Sequence, residues 1–267
     1  MHGTCVAFAT TAALEANFKI ARNDLNPGFD LSEAYLWFYG TGKFPGASGE
    51  RPTNPSPGGW YAFRALSFLL PRNGYTVLES AAPYSYLNLF PEFGQVPEDC
   101  EKFSANGIFI LKSPTAMKLA LQKGPIYGQM KTNFYTLFYG KDSGIYSYIP
   151  IYDSNGDERN YPDTPEYPPL PPGSHAITVV GYDDGQGCWI CKNSWGLGWG
   201  ESGFFRARYG KGITEDYAFL MSVSVFITEK SPAPGQTDIS ANHVVEIGFG
   251  EDMRAETVAP ENFKLEK

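Results

Sequence analysis

One stretch constrains this chain more than any other. From Gly173 it reads Gly-Ser-His-Ala-Ile-Thr-Val-Val-Gly-Tyr, and after a polar turn it continues Cys-Trp-Ile-Cys-Lys-Asn-Ser-Trp-Gly-Leu-Gly-Trp-Gly-Glu-Ser-Gly-Phe-Phe to Phe205. The first run is β-branched and predicts a strand over Ala176 to Tyr182. Asp183-Asp184-Gly185-Gln186-Gly187 is turn chemistry, and Cys188 to Lys192 predicts a second strand. A hairpin sets the start of the first strand near the end of the second, so His175 should stand beside Asn193. An imidazole steered by a neutral amide is half of a nucleophilic triad. The other half must come from elsewhere, and Cys5 is the candidate.

Cys5 opens a run, Cys-Val-Ala-Phe-Ala-Thr-Thr-Ala-Ala-Leu-Glu-Ala-Asn-Phe-Lys-Ile, that is nearly apolar on all sides up to Glu15. That pattern predicts a helix buried within the protein. A thiol at a helix start faces unpaired backbone N–H groups and the positive end of the dipole, both of which favour a thiolate. The opposing reading, a buried inert thiol, is the ordinary state of a free cysteine. Downstream, Asp30 or Ser32 should cap a short helix reaching Tyr39. Apolar residues at 60, 63, 66 and 70 predict an amphipathic helix from Trp60 to Leu70. Ser113-Pro114 starts a further helix to Lys123, with Ser as the cap and Pro in the first turn.

The second half is strand-rich: Ile126 to Met130, Gly144 to Tyr148, Gly203 to Arg208 and Tyr217 to Ile227 join the hairpin. Helices followed by strands predict an α+β fold with two lobes. Residues 151–173, rich in Pro, Tyr and Asp, read as a long loop delivering the chain to His175. Residues 227–267 read as a linker and acidic tail, disordered or the start of a further domain.

With a net charge of −8, the chain is not a general binder of nucleic acid or anionic membrane. No apolar run is long enough to span a bilayer. Four cysteines are too few for a disulfide scaffold in 267 residues. Cys188 and Cys191 should point to opposite faces of their strand, which argues against a bridge between them. A zinc site built from Cys188, Cys191, Cys5 and His175 has suitable ligand types, but one Cys-x-x-Cys with a Trp inside a strand carries little specificity, and buried packing is the preferred reading.

Taken in order, these pieces resemble the papain-like cysteine peptidases. Gly3-Thr4-Cys5-Val6-Ala7-Phe8-Ala9 looks like the nucleophile loop and central helix of that family, and Leu31-Ser32-Glu33 like its second-helix entry. Gly58-Gly59, Ala65-Leu66, Asn73-Gly74, Ala82-Pro83-Tyr84, Gly124-Pro125-Ile126 and Ser143-Gly144-Ile145-Tyr146 follow in register. The most specific match is Gly173-Ser174-His175-Ala176-Ile177 with Lys192-Asn193-Ser194-Trp195-Gly196 and Gly198-Trp199-Gly200-Glu201.

The resemblance covers residues 1–226 and implies a helical lobe over about 1–112 and an antiparallel, barrel-like β lobe over about 113–226, with the cleft between them. It implies thiol-dependent peptide hydrolysis through an acyl-enzyme, with Cys5 as nucleophile, His175 as its ion-pair partner and Asn193 as orienter. Trp195 would shield that contact, Gly58 and Gly59 would pair with an extended substrate, and Gln129 and Ser174 would line the main specificity pocket, polar here. Peptides or proteins are the partners implied, and no cofactor or metal is called for. The family's disulfide positions are not available, since His2 replaces one such cysteine and Cys100 lacks an evident partner. Val6 stands where an aromatic residue commonly follows the nucleophile. The family's oxyanion-hole Gln falls before Met1, so the start reads as truncated or internal, and a missing leader would make the protein secreted or cell-surface. Loss of that donor motivates the alternative, a catalytically weak module that binds peptides.

Overall fold

The computed structural model describes residues 4–23, 28–42, 62–70, 73–89, 94–132, 144–152, 154–159, 173–211, 213, 215, 218–223, 227–231 and 246–249. Gly58 and Gly59 lie outside them, as do Trp60 and Tyr217, where two predicted elements were to begin.

Helix α1 spans Cys5–Arg22 and buries Val6, Ala7, Ala9, Thr10, Thr11, Ala13, Leu14, Asn17 and Phe18. The all-round burial expected of its composition is what lets Ala-sized side chains bring other elements close. It ends at Asn23, which takes the left-handed conformation at φ 52° and returns its N–H to Ile20 and Lys19 carbonyls. Helix α2 spans Glu33–Gly42 and helix α3 spans Ala62–Phe68. Of the two candidate caps for α2, Ser32 takes the role: its Oγ accepts the Tyr35 N–H at 2.9 Å. A 3₁₀ turn follows at Tyr84–Leu89. Helix α4, Pro114–Leu121, starts as expected, with Ser113 Oγ accepting the Ala116 N–H at 3.1 Å.

Among the described residues, seven strands form the main sheet: β1 (Gly107–Leu111), β2 (Ile126–Thr132), β3 (Ile145–Tyr146), β6 (Gly173–Asp183), β7 (Cys188–Lys192), β8 (Phe204–Arg208) and β9 (Ala218–Ser222). Their order is β1-β9-β2-β6-β7-β8-β3. All neighbours pair antiparallel except β3 with β8, which is parallel, so the sheet is mixed at one edge. Strand β1 precedes residue 112, where the helical lobe was expected to end, yet it pairs with β9 deep in the C-terminal sequence.

Short strands lie in two segments, one read as a long loop and the other as a linker and acidic tail, disordered or the start of a further domain. Within residues 151–173, β4 (Ile151–Tyr152) and β5 (Glu158–Arg159) make a short antiparallel hairpin. Within residues 227–267, β10 (Ile227–Ser231) pairs with β11 (Glu246–Phe249). Neither was legible because pairs this short carry almost no periodicity.

Side-chain alternation divides the sheet between two hydrophobic clusters. One face gives Tyr127, Ala176, Phe219 and Met221 to the cluster built by α1, α2 and α3. The other gives Ile126, Met130, Ile177, Val179 and Ala218 to a second cluster with Met117 and Ala120 of α4 and Trp189, Cys191 and Ala207 of the neighbouring strands. Helix α1 is tied to the first face by polar contacts as well: Asn17 Nδ2 donates to the carbonyls of Pro125 at 3.2 Å and Met221 at 3.0 Å, and Thr178 Oγ1 donates to the Ala9 carbonyl at 3.2 Å.

Candidate active site

The predicted hairpin exists. Strands β6 and β7 pair from Thr178↔Lys192 to Asp183↔Cys188, with an irregularity between Val179 and Gly181. Because β7 ends at Lys192, residues 173–177 of β6 run on with β2 on one side and, among the described residues, no strand on the other. The chain after β7 turns into that vacant edge and brings Asn193 to His175. The His175 Nε2–H donates to Asn193 Oδ1 at 2.8 Å.

The polarity of this contact follows from its second partner. The Ser194 backbone N–H also donates to Asn193 Oδ1, at 2.8 Å, so that atom must be the amide oxygen. Nε2 of a neutral ring therefore carries the hydrogen, and Nδ1 keeps the free lone pair. Both side chains are buried, His175 to 4% and Asn193 to 5% exposure. The Trp195 ring lies over the imidazole at a centroid distance of 5.1 Å and a tilt of 31°. Trp199 meets Trp195 edge-on at 5.1 Å and Phe205 at 5.5 Å, anchoring that cover to the second cluster. The loop holding both tryptophans needs glycine at 200: its φ is +58°, and a Cβ there would lie 2.4 Å from the Phe204 carbonyl oxygen.

Cys5 begins α1, and its sulfur reaches the backbone N–H of Ala176, the residue after His175. Burial pushes the thiol above its ordinary range, and the backbone N–H groups of Ala176, Val6 and Cys5 itself pull it partway back. Burial likewise holds the His175 imidazole below its ordinary range, with the Asn193 contact opposing. A thiolate facing an imidazolium was the sequence expectation. In the resting structure both groups are instead driven toward their neutral forms, because desolvation outweighs the available hydrogen bonds. Beside Cys5, Thr4 Oγ1 and the Tyr84 hydroxyl are 2.8 Å apart, a contact across 80 positions that nothing in the sequence pattern signalled.

Gln129 and Ser174 lie on the adjoining strands: Gln129 is in register with Ala176 and Ser174 with Lys131. Gln129 is half-buried and Ser174 exposed. Phe8, Ala9, Ala176, Thr178, Asn193 and Ser194 line a small crevice between α1 and the end of the hairpin. The four residues of the zinc reading do not assemble. Cys188 and Cys191 are free, fully buried thiols within β7, and among the described residues no group of three or more His, Cys, Asp or Glu side chains is placed to hold a metal. No described helix is long and apolar enough to cross a membrane.

Known proteins agree with this architecture. The sequence model of the papain family cysteine proteases matches residues 164–224, the stretch bearing His175 and Asn193. Cysteine proteinase 3 of Solanum lycopersicum is 28% identical over 226 residues, covering 79% of this chain and 51% of the relative. Cathepsin S of Bos taurus is 27% identical over 217 residues, covering 79% of this chain and 55% of the relative. The chain thus spans about half the length of these relatives. Among solved structures, the bromelain protease of Ananas comosus in complex with the E64 inhibitor superimposes with a TM-score of 0.52 at 22% identity, over 83% of this chain and 90% of that one, a likeness of fold. In fold, and in the sequence around His175 and Asn193, the chain is similar to the papain-like cysteine peptidases.

Proposed function

We propose that this chain hydrolyses peptide bonds, with Cys5 as nucleophile, His175 as proton carrier and Asn193 as the residue that orients the imidazole. The observation that carries the reading is the defined tautomer of His175: with Nε2–H committed to Asn193, Nδ1 is the nitrogen free to receive a proton. The sulfur lies one residue away along β6, against Ala176.

In this mechanism the Cys5 S–H proton passes to His175 Nδ1 as the sulfur attacks the substrate carbonyl carbon. The carbonyl oxygen becomes an oxyanion, and the Cys5 backbone N–H at the start of α1 is a donor suited to it. Collapse breaks the C–N bond, the imidazolium gives its proton to the leaving amine, and a thioester remains. Water then loses a proton to His175 and attacks the thioester carbon, and Cys5 leaves as the thiol with that proton restored. Starting from a neutral pair, the charges arise only as the reaction proceeds, inside a site that Trp195 covers. The unit carrying this chemistry is residues 1–226, and peptides or proteins are its substrates.

A second reading, a cleft that binds peptides without turning them over, draws on the same neutral resting state. The rate of Cys5 alkylation against pH, mapped by peptide mass in wild type and His175→Ala, separates the two. Peptidase chemistry predicts that His175, taking the proton as the sulfur attacks, speeds alkylation of the neutral Cys5 thiol below the thiol's own titration range, and that His175→Ala removes this assistance. Reaction only near pH 8–9 in both proteins, as for an ordinary thiol, would overturn it in favour of the binding module.

A further inference from the structure

Thr4 is the residue before α1, and a threonine there ordinarily caps the helix by accepting the N–H two or three residues on. In this chain those donors are Val6 and Ala7, and the Thr4 side chain makes no such bond. Its backbone, at φ −92° and ψ 10°, departs from the extended conformation that a cap uses. Its hydroxyl is engaged elsewhere, with the Tyr84 hydroxyl at 2.8 Å, and Thr4 is buried.

Tyr84 is held for this contact from three sides. Its ring meets Phe8, one helical turn beyond Thr4 on the same face of α1, at a centroid distance of 5.3 Å. Its backbone N–H donates to Glu79 Oε1 at 2.6 Å. Two residues before it, the Ala82 carbonyl accepts the hydroxyl of Ser32 at the start of α2. A hydroxyl fixed in this way decides where the Thr4 side chain points.

The donors that Thr4 leaves alone serve the thiol. The first intrahelical bond of α1 runs from the Phe8 N–H to the Thr4 carbonyl at 3.1 Å, so the N–H groups of Cys5, Val6 and Ala7 precede the helical ladder. Those of Cys5 and Val6 act on the Cys5 sulfur together with the Ala176 N–H. A Thr4 cap on Val6 would take one of these three donors from the sulfur. A cap on Ala7 would offset part of the positive helix end beside it.

We propose that Tyr84 is a positioning residue that keeps Thr4 from capping α1 and so reserves the first-turn N–H groups for the Cys5 sulfur. Its consequence for turnover rests on the peptidase reading above, whereas its effect on the thiol does not. The helix forgoes a stabilising contact at the end where its positive pole faces a reactive group.

The test is Tyr84→Phe, which removes the hydroxyl and keeps a ring against Phe8, made in the full chain with and without Thr4→Val, whose side chain cannot cap. The first readout is alkylation of Cys5 by iodoacetamide against pH, mapped by peptide mass. Tyr84→Phe should move the midpoint up by about one pH unit, because the released Thr4 hydroxyl takes an N–H from the sulfur. Adding Thr4→Val should bring the midpoint back toward wild type. In peptide cleavage, Tyr84→Phe should lower kcat about tenfold with KM little changed, and the double variant should recover most of the loss. A contact that only held the fold together would leave the double variant no better than Tyr84→Phe. An unmoved midpoint in Tyr84→Phe, or a shift that Thr4→Val does not reverse, overturns the proposal. A reversible shift in a protein that cleaves no peptide would sink the peptidase reading and leave the positioning role standing. Cleavage with an unmoved midpoint would do the reverse.

Discussion

The two ends of β6 hold polar clusters of opposite character. At the 173–177 end, Cys5, His175 and Asn193 are drawn together under cover, and burial drives the thiol up and the imidazole down, toward neutrality. At the 183 end, Asp183 takes the Gln186 backbone N–H at 3.0 Å and the side-chain amide at 2.6 Å. Asp184 pairs with Lys118 and accepts the Tyr209 hydroxyl at 3.0 Å, while Arg206 reaches Glu201 at 2.7 Å and Gln186 at 2.6 Å. There the hydrogen bonds lower both aspartates and raise Arg206, so these three groups are held toward their charged forms. One strand thus carries a buried cluster held toward neutral forms and an exposed cluster held toward charged ones. Solvent access, rather than residue type, sets the difference.

The largest expected break between the two ends is in turnover. Cys5→Ala should lower kcat/KM for peptide cleavage by about 10³-fold or more, while Asp184→Ala should leave it within about twofold, since exposed pairs act weakly at a distance. Steady-state kinetics on one peptide decides this. Loss of turnover in both variants would mean that the turn end is coupled to the cleft.

Next in size is the pH dependence of stability. The folded pKa of His175 is depressed below its ordinary 6.5, so the unfolded chain takes up that proton first. The stability it contributes is present above about pH 6.5 and is lost as pH falls toward the folded pKa, at up to about 1.4 kcal/mol per pH unit. Cys5 acts in the opposite sense: with its folded pKa raised, its contribution is present below 9.0 and is lost as pH rises beyond. Glu33, pushed up to about 8 by burial, superimposes a loss of stability as pH rises from 4.5 through 8. Urea melts of wild type minus His175→Gln cancel the Glu33 slope, and a difference curve without a fall below pH 6.5 would refute the assignment.

The smallest effect is expected at the turn. Asp184→Ala should move Tm by no more than about 2 °C, as solvent-exposed ion pairs contribute little in a domain of this size. The shift should vanish in high salt. A larger, salt-resistant shift would show that the turn is structurally stronger than its exposure implies.

Much of this was legible because local chemistry and long-range packing asked for the same thing. The β7 strand falls on Cys188–Lys192 as expected, and the hairpin brings His175 to Asn193 because a tight turn leaves little freedom in register. Ser113 and Ser32 cap their helices because a hydroxyl before a helical run has a preferred partner two or three residues on. The rest depends on depth, which sequence does not state. The neutral resting pair at Cys5 and His175 follows from how completely α1 and the Trp195 loop cover them. The Lys131–Glu158 contact is a meeting of two charged residues across a segment whose path no pattern fixes.

The clamp at the far end of α1 has a mechanical consequence. Asn17 stands twelve residues along the helix from Cys5, about 18 Å away, and grips the Pro125 and Met221 carbonyls at once. With further fastenings at Ala9 and Thr178 and at the Cys5 sulfur against the Ala176 N–H, the helix is a beam fixed to the sheet along its length. The tip carries the thiol. Swivelling of the beam is resisted at these fastenings, so the height of the Cys5 sulfur above the sheet is set by the fold before the proposed substrate arrives.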